Sequence, residues 1–340
     1  MEILQELLED ACPSIRYRIR SEILGESIDT AVMAKLQKEI LADEWVRKVF
    51  SWQQPDGWIG RDFHGENSLE TGIRVLCEKG IEKTHPILKK ALEVLSIDDK
   101  RLTRGIGKAG ISLDKKNLGG TQLIRAVVFS YAGVEDIPIM QEQVQKALTS
   151  FQTPAITRAI EEITTIHKGK LVYRPAIVWP SIYHLRLLAF THTWRTKENY
   201  KILADGIQQL VKLSPMPYIL LKYKSQLVAP ASFCMLDFNP DIHKLDDVGW
   251  MMWFHRMELL ARLGIIHMVS ALVDQVNELN KLLISDQGWF SKRLSHKYFG
   301  KWGAYSGLML EKDWKNPNRR IFDLTFRSLL IKYYFECQNG

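Results

Sequence analysis

Apolar residues recur at spacings of three and four through most of this chain, the period of an amphipathic helix. In PILKKALEVL, for example, Ile87, Leu88, Ala91, Leu92 and Leu95 share one face. The pattern predicts helices over 15–24, 30–52, 68–79, 86–95, 121–132, 138–151 and 154–167 in the first half. In the second half it predicts them over 180–191, 196–213, 247–263, 267–284 and 322–337. Ser14 stands where an N-cap is expected and Gly25 where a C-terminal glycine is expected. Strand alternation is scarce, apart from LVYRPAIVW from Leu171 and short pieces near Tyr218.

Two phrases repeat. CEKGIEKTHPILKKALEVL from Cys77 and SYAGVEDIPIMQEQVQKAL from Ser130 both read as helix, Gly-aliphatic turn, helix, and ARLGIIHMVSALVDQV from Ala261 is a weaker relative. The second phrase is a helix end with a glutamine turn after it. It is fullest in VRKVFSWQQPDGWIG from Val46, shorter in VQKALTSFQTP from Val144, and loosest in LNKLLISDQGWF from Leu279. The glutamine amide can satisfy backbone groups at a helix end, Gly57 allows a tight turn, and Trp58 pins that turn to its neighbour. Such repetition marks stacked helical hairpins.

In WQQPDGWIG, residues Gln53, Asp56, Gly57 and Trp58 resemble the Q-x-x-D-G-x-W turn of the terpenoid cyclases and protein prenyltransferases, with the tryptophan one place early. The resemblance is best over 40–155 and weaker over 245–335. It implies an all-α chain folded as one α/α toroid over 1–340, with about six inner and about six outer helices and 1–27 as an N-terminal helical cap. It also implies a central aromatic-lined cavity for an apolar or isoprenoid-like ligand.

The chain has 340 residues and 46% apolar content, ample for a large core, and neither a linker nor a low-complexity run. The apolar stretch from Ala176 is broken by Pro180, His184 and Arg186, short of the roughly 20 clean residues of a membrane span. An acidic amphipathic start without a basic segment argues against a signal peptide, and the four dispersed cysteines read as buried thiols of a cytoplasmic protein. The net charge of +7 permits an anionic partner without requiring one.

Candidate chemistry is sparse. Acid-initiated terpene cyclases use D-x-D-D, in which neighbouring carboxylates raise a pKa. Here the chain reads KLDD, with Lys244 in the first position and Asp246 and Asp247 as the candidate acids or, alternatively, as helix caps. On the next helix, Trp250 and Trp253 lie on one face with Asp246 and Met257, suited to a ligand wall or to core packing. RDFHGEN supplies His64, and KYFGKWGAYSG supplies Trp302 and Tyr305, as candidate ligand contacts at a cavity mouth. Arg327, four residues after Asp323, forms an intrahelical pair or holds an anionic group. The D-x-C zinc pairing of the prenyltransferases is absent, so neither a metal site nor a cofactor is assigned, and no phosphate-binding loop or hydrolase motif occurs.

Other residues support two alternatives. PSIRYRIRSEILG from Pro13 resembles the start of a HEAT repeat, and an open solenoid would offer Arg16, Arg18 and Arg20 to nucleic acid or a protein partner. The tryptophan-rich loops also allow a carbohydrate-active α/α barrel, although no carboxylate pair stands out.

Overall fold

The computed structural model describes residues 2–337, and these are mostly helical, with two small hairpins. Two compact units emerge, one of Met1–Gly105 with Val276–Gly340 and one of Ile106–Gln275.

In the first unit the helices are α1 (Glu2–Asp10), α2 (Pro13–Arg18), α3 (Ala31–Leu41), α4 (Glu44–Ser51), α5 (Leu69–Glu78) and α6 (Pro86–Ser96). Pro13 occupies the first turn of α2, so Ser14 is inside the helix and Cys12 takes the cap position. The long helix predicted over 30–52 is two helices. Asp43 accepts from the backbone N–H groups of Trp45 and Val46, starting a new helix where the old one would have continued. Helix α5 is buried on every side from Leu69 to Leu76, the mark of a central helix. It ends at Gly80, whose φ of +87° lets Ile81 N–H reach back to Leu76 C=O, the Schellman closure that a Gly-aliphatic pair makes possible.

The second unit contains α7 (Gly107–Lys115), α8 (Thr121–Tyr131), α9 (Pro138–Ile156), α10 (Ile160–Ile163), α11 (Ile182–Ala189), α12 (Lys197–Leu213) and α13 (Asp247–Leu263). Gly133, at φ +67°, repeats the Gly80 closure through Val134 N–H and Phe129 C=O. The glutamine turn expected at 144–154 does not form. Helix α9 runs through it to Ile156 and carries Pro154 inside its last turns. The helix predicted over 154–167 is also replaced, by short α10 and the hairpin β1 (Thr164–His167) and β2 (Lys170–Tyr173). Its cause is local: β-branched Thr164, Thr165 and Ile166 precede Lys168 and Gly169, both at positive φ, as a two-residue hairpin turn requires. A second hairpin pairs β3 (Leu221–Tyr223) with β4 (Gln226–Val228).

Helix α14 (Ser270–Ser285) spans the boundary between the units, and α15 (Pro317–Glu336) closes the first. Between these helices, Asp286 to Asn316 carries only one 3₁₀ turn, Lys297–Phe299. Among the described residues, no helix is long and apolar enough to cross a membrane.

Candidate functional site

The fullest glutamine turn forms as its residue types demand. Gln53 Nε2 donates to Gly57 C=O (3.2 Å) and to Ile87 C=O (2.9 Å) in the first turn of α6, while Gln54 Nε2 donates to Gly60 C=O (2.6 Å). Asp56 accepts from Trp58 N–H at 3.1 Å. Trp58 is wholly buried, with the Arg101 guanidinium 4.4 Å above its ring. Arg101 also pairs with Asp56 and Asp99 at 2.7 Å each, and these hydrogen bonds lower both carboxyl pKa values. The turn is a structural rivet.

The loop after the turn is chemically richer. Backbone N–H groups of Phe63 and His64 donate to Arg104 C=O, and Gly105 is required beside them because a Cβ there would lie 1.9 Å from His64 C=O. Ser68 caps α5 by accepting from Thr71 N–H, and both hydroxyls donate to Gly65 C=O. Thus fixed, the loop brings His64 Nδ1 within 2.6 Å of Glu70 Oε2. The Glu70 side chain is completely buried and that of His64 is 13% exposed. A buried carboxylate on one ring nitrogen sets the tautomer and orientation of the imidazole and stabilises its cation, the arrangement of a general base.

The second aromatic loop meets the first. Tyr305 lies edge-on to His64 with ring centroids 5.9 Å apart, and Lys301 pairs with Glu66 at 2.6 Å. Arg74, one turn beyond Glu70 on α5, donates to the carbonyls of Gly303 (2.9 Å), Ser306 (3.0 Å) and Gly307 (2.8 Å) and lies over the Trp302 ring at 5.3 Å. Trp302 is 2% exposed and acts as the packed floor of the loop. His64, Trp302 and Tyr305, picked out from two loops far apart in sequence, are therefore assembled in one place. No motif pointed to Glu70 or Arg74, although Glu70, Arg74 and Glu78 form a charged stripe at four-residue spacing on an otherwise apolar helix.

Arg327 lies elsewhere in the same unit. It donates to Leu308 C=O (2.7 Å) and to Glu78 (3.3 Å), while Asp323 accepts from Leu310 N–H, Glu311 N–H and Trp314 Nε1. Both side chains of the expected intrahelical pair thus hold loop backbone. Glu311 is bonded by Cys12 N–H at 2.7 Å. Burial, reinforced by Asp323, pushes its carboxyl up to about 7.

The remaining candidates belong to the second unit. Asp246 is the N-cap of α13, accepting from Gly249 N–H at 2.7 Å, and Lys244 pairs with Asp241 at 2.9 Å. Asp247 is the first residue of that helix. Trp250 and Trp253 are fully buried and pack edge-to-face with centroids 5.3 Å apart, and Trp253 Nε1 donates to Gln275 at 2.9 Å. The aromatic stripe is core. His184 is also structural: Nδ1 accepts from Ser181 N–H, Nε2 faces Asn117 Oδ1, and burial pushes its pKa down to about 3.

Compared with known protein families, curated proteins and solved structures, the chain matches none.

Proposed function

We propose that this chain binds a small molecule on the plan of the terpenoid cyclases and prenyltransferases, an α/α toroid, and that His64 takes a proton from the bound ligand. The reading is carried by one observation: His64 is held at 2.6 Å by wholly buried Glu70, with Tyr305 at its edge. Glu70 stabilises the imidazolium formed when the proton arrives. Tyr305 supplies an aromatic flank for an apolar, isoprenoid-like body. Acid-initiated cyclisation at 244–247 receives no support, because Lys244 neutralises Asp241 and Asp246 caps a helix.

The arginines that the nucleic-acid alternative would use are each paired with a carboxylate. Arg16 pairs with Glu39, Arg18 with Glu22 and Glu78, and Arg20 with Glu26.

Native mass spectrometry of the purified chain, with organic extraction of whatever stays bound, tests the proposal. The expected result is a copurifying small molecule that is lost from His64→Gln and Glu70→Gln proteins whose melting temperatures stay close to wild type. A clean apo mass, or retention of the molecule by both variants, overturns it.

A further inference from the structure

The first unit also carries a groove of about 500 Å³ that shares no residue with the His64 corner. Its wall is built by Ile3 and Leu4 of α1, Ile23, Leu283 and Ile284 at the end of α14, and Leu329 of α15. Ile284 keeps 78% of its surface exposed, although its neighbour Leu283 is buried. The volume lies within the range of small-molecule sites, about 300 to 1,000 Å³, and the lining is predominantly apolar, as such sites are.

Two charged side chains also line it. Lys332 is half-buried, while Glu336, one turn further along α15, is exposed. Lys332 is thus the more enclosed of the two. Among the described residues Lys332 has neither a hydrogen bond nor an ion pair. The Lys332 ammonium is the cation of a mostly apolar lining in which Glu336 is the one carboxylate, and it can pair with an anionic group arriving with the ligand.

We infer that this groove binds a single-chain amphiphile with an anionic head, of the fatty-carboxylate kind, its chain along Ile3, Ile23, Ile284 and Leu329 and its head at Lys332. The occupant is a monomeric amphiphile rather than a membrane surface, because the adjoining helix α1 carries Glu2, Glu6, Glu9 and Asp10 and no basic residue, which opposes an anionic bilayer.

Titration of the full chain with octanoate, decanoate and dodecanoate below their micellar concentrations, read by calorimetry and native mass spectrometry, tests this. Binding is expected to saturate at one molecule per chain and to tighten about fourfold per added methylene. Ile284→Asp, at a position exposed enough to leave folding intact, should weaken dodecanoate by about tenfold or more. Lys332→Ala should weaken dodecanoate about fivefold and leave dodecanol unchanged. His64→Gln should bind as wild type does, which separates this site from the proposed reacting centre. The inference is overturned by absence of saturable one-to-one binding, by unchanged affinity in both groove variants, by sedimentation with phosphatidylglycerol vesicles without uptake of monomeric dodecanoate, or by an Ile284-dependent dimer that forms without ligand.

Discussion

Each unit contains one long segment poor in regular structure, and the two are pinned by different chemistry. In the first unit, 286–316 is held by charge. Arg74 takes three carbonyls, Arg327 takes Leu308 C=O, Asp323 takes two N–H groups and Trp314, and Lys79 takes Leu310 C=O. In the second unit, 214–246 is held mainly by neutral groups and by pairing within itself. Gln275 Nε2 donates to Phe238 C=O, Ser214 Oγ accepts from Phe238 N–H, β3 pairs with β4, and Arg256 contributes a charge, to Cys234 C=O. A segment that supplies a hairpin satisfies part of its own backbone. One that does not must borrow partners, and charged side chains make the stronger hydrogen bonds.

Arg74→Met should therefore be the most damaging change, since it strips three carbonyls at once. A loss of about 3 to 5 kcal/mol in urea unfolding is expected, and equal damage from Gln275→Leu would break the comparison. Glu311→Gln comes next, through pH. The folded chain keeps the Glu311 proton up to about pH 7, whereas the unfolded chain releases it near 4.5. That stability is complete below about pH 4.5 and is lost as the pH rises towards 7, on the order of 3 kcal/mol in all. Thermal unfolding across this range should flatten in the Gln variant, which can still accept from Cys12 N–H. Buried Asp323, its pKa also raised, acts in the same direction. In the second unit the signs oppose. Asp114, at about 6, favours lower pH, whereas His184, at about 3, loses stability as the pH falls below 6.5. A slope between pH 4.5 and 7 that Glu311→Gln leaves undiminished would sink the assignment to Glu311.

Gln275→Leu leaves Trp253 Nε1 and Phe238 C=O without this partner and should cost about 2 kcal/mol in the same urea assay. The smallest effect is expected for Gly25→Ala. Its φ is +63° but a Cβ would meet nothing within 4 Å, so backbone strain of about 1 kcal/mol is the whole penalty. A loss as large as that of Arg74→Met would show that Gly25 does more than turn the chain.

The rivet at 52–60 is legible in sequence because the residues that make its turn are neighbours, two glutamines, a left-handed glycine and a tryptophan, while Ile87 of α6 and Arg101 complete it from further along the chain. The degenerate copy at 144–154 stays helical because a glutamine and a proline alone carry no left-handed residue to stop a helix. The His64 corner is half legible. Aromatic and glycine-rich loops advertise His64, Trp302 and Tyr305, but nothing local joins residue 64 to residue 305, and Glu70 and Arg74, which organise their surroundings, are masked within an apolar helix.

By itself, then, the sequence determined most of the helices, the glycine closures at Gly80 and Gly133 and the glutamine rivet at 52–60, since these depend on backbone torsions and hydrogen bonds among near neighbours. Tertiary structure alone decided which buried charges meet which loop carbonyls, that His64 receives a carboxylate, and that the Trp250 and Trp253 stripe is core. Those outcomes depend on desolvation and on contacts between residues distant along the chain, and local sequence encodes neither.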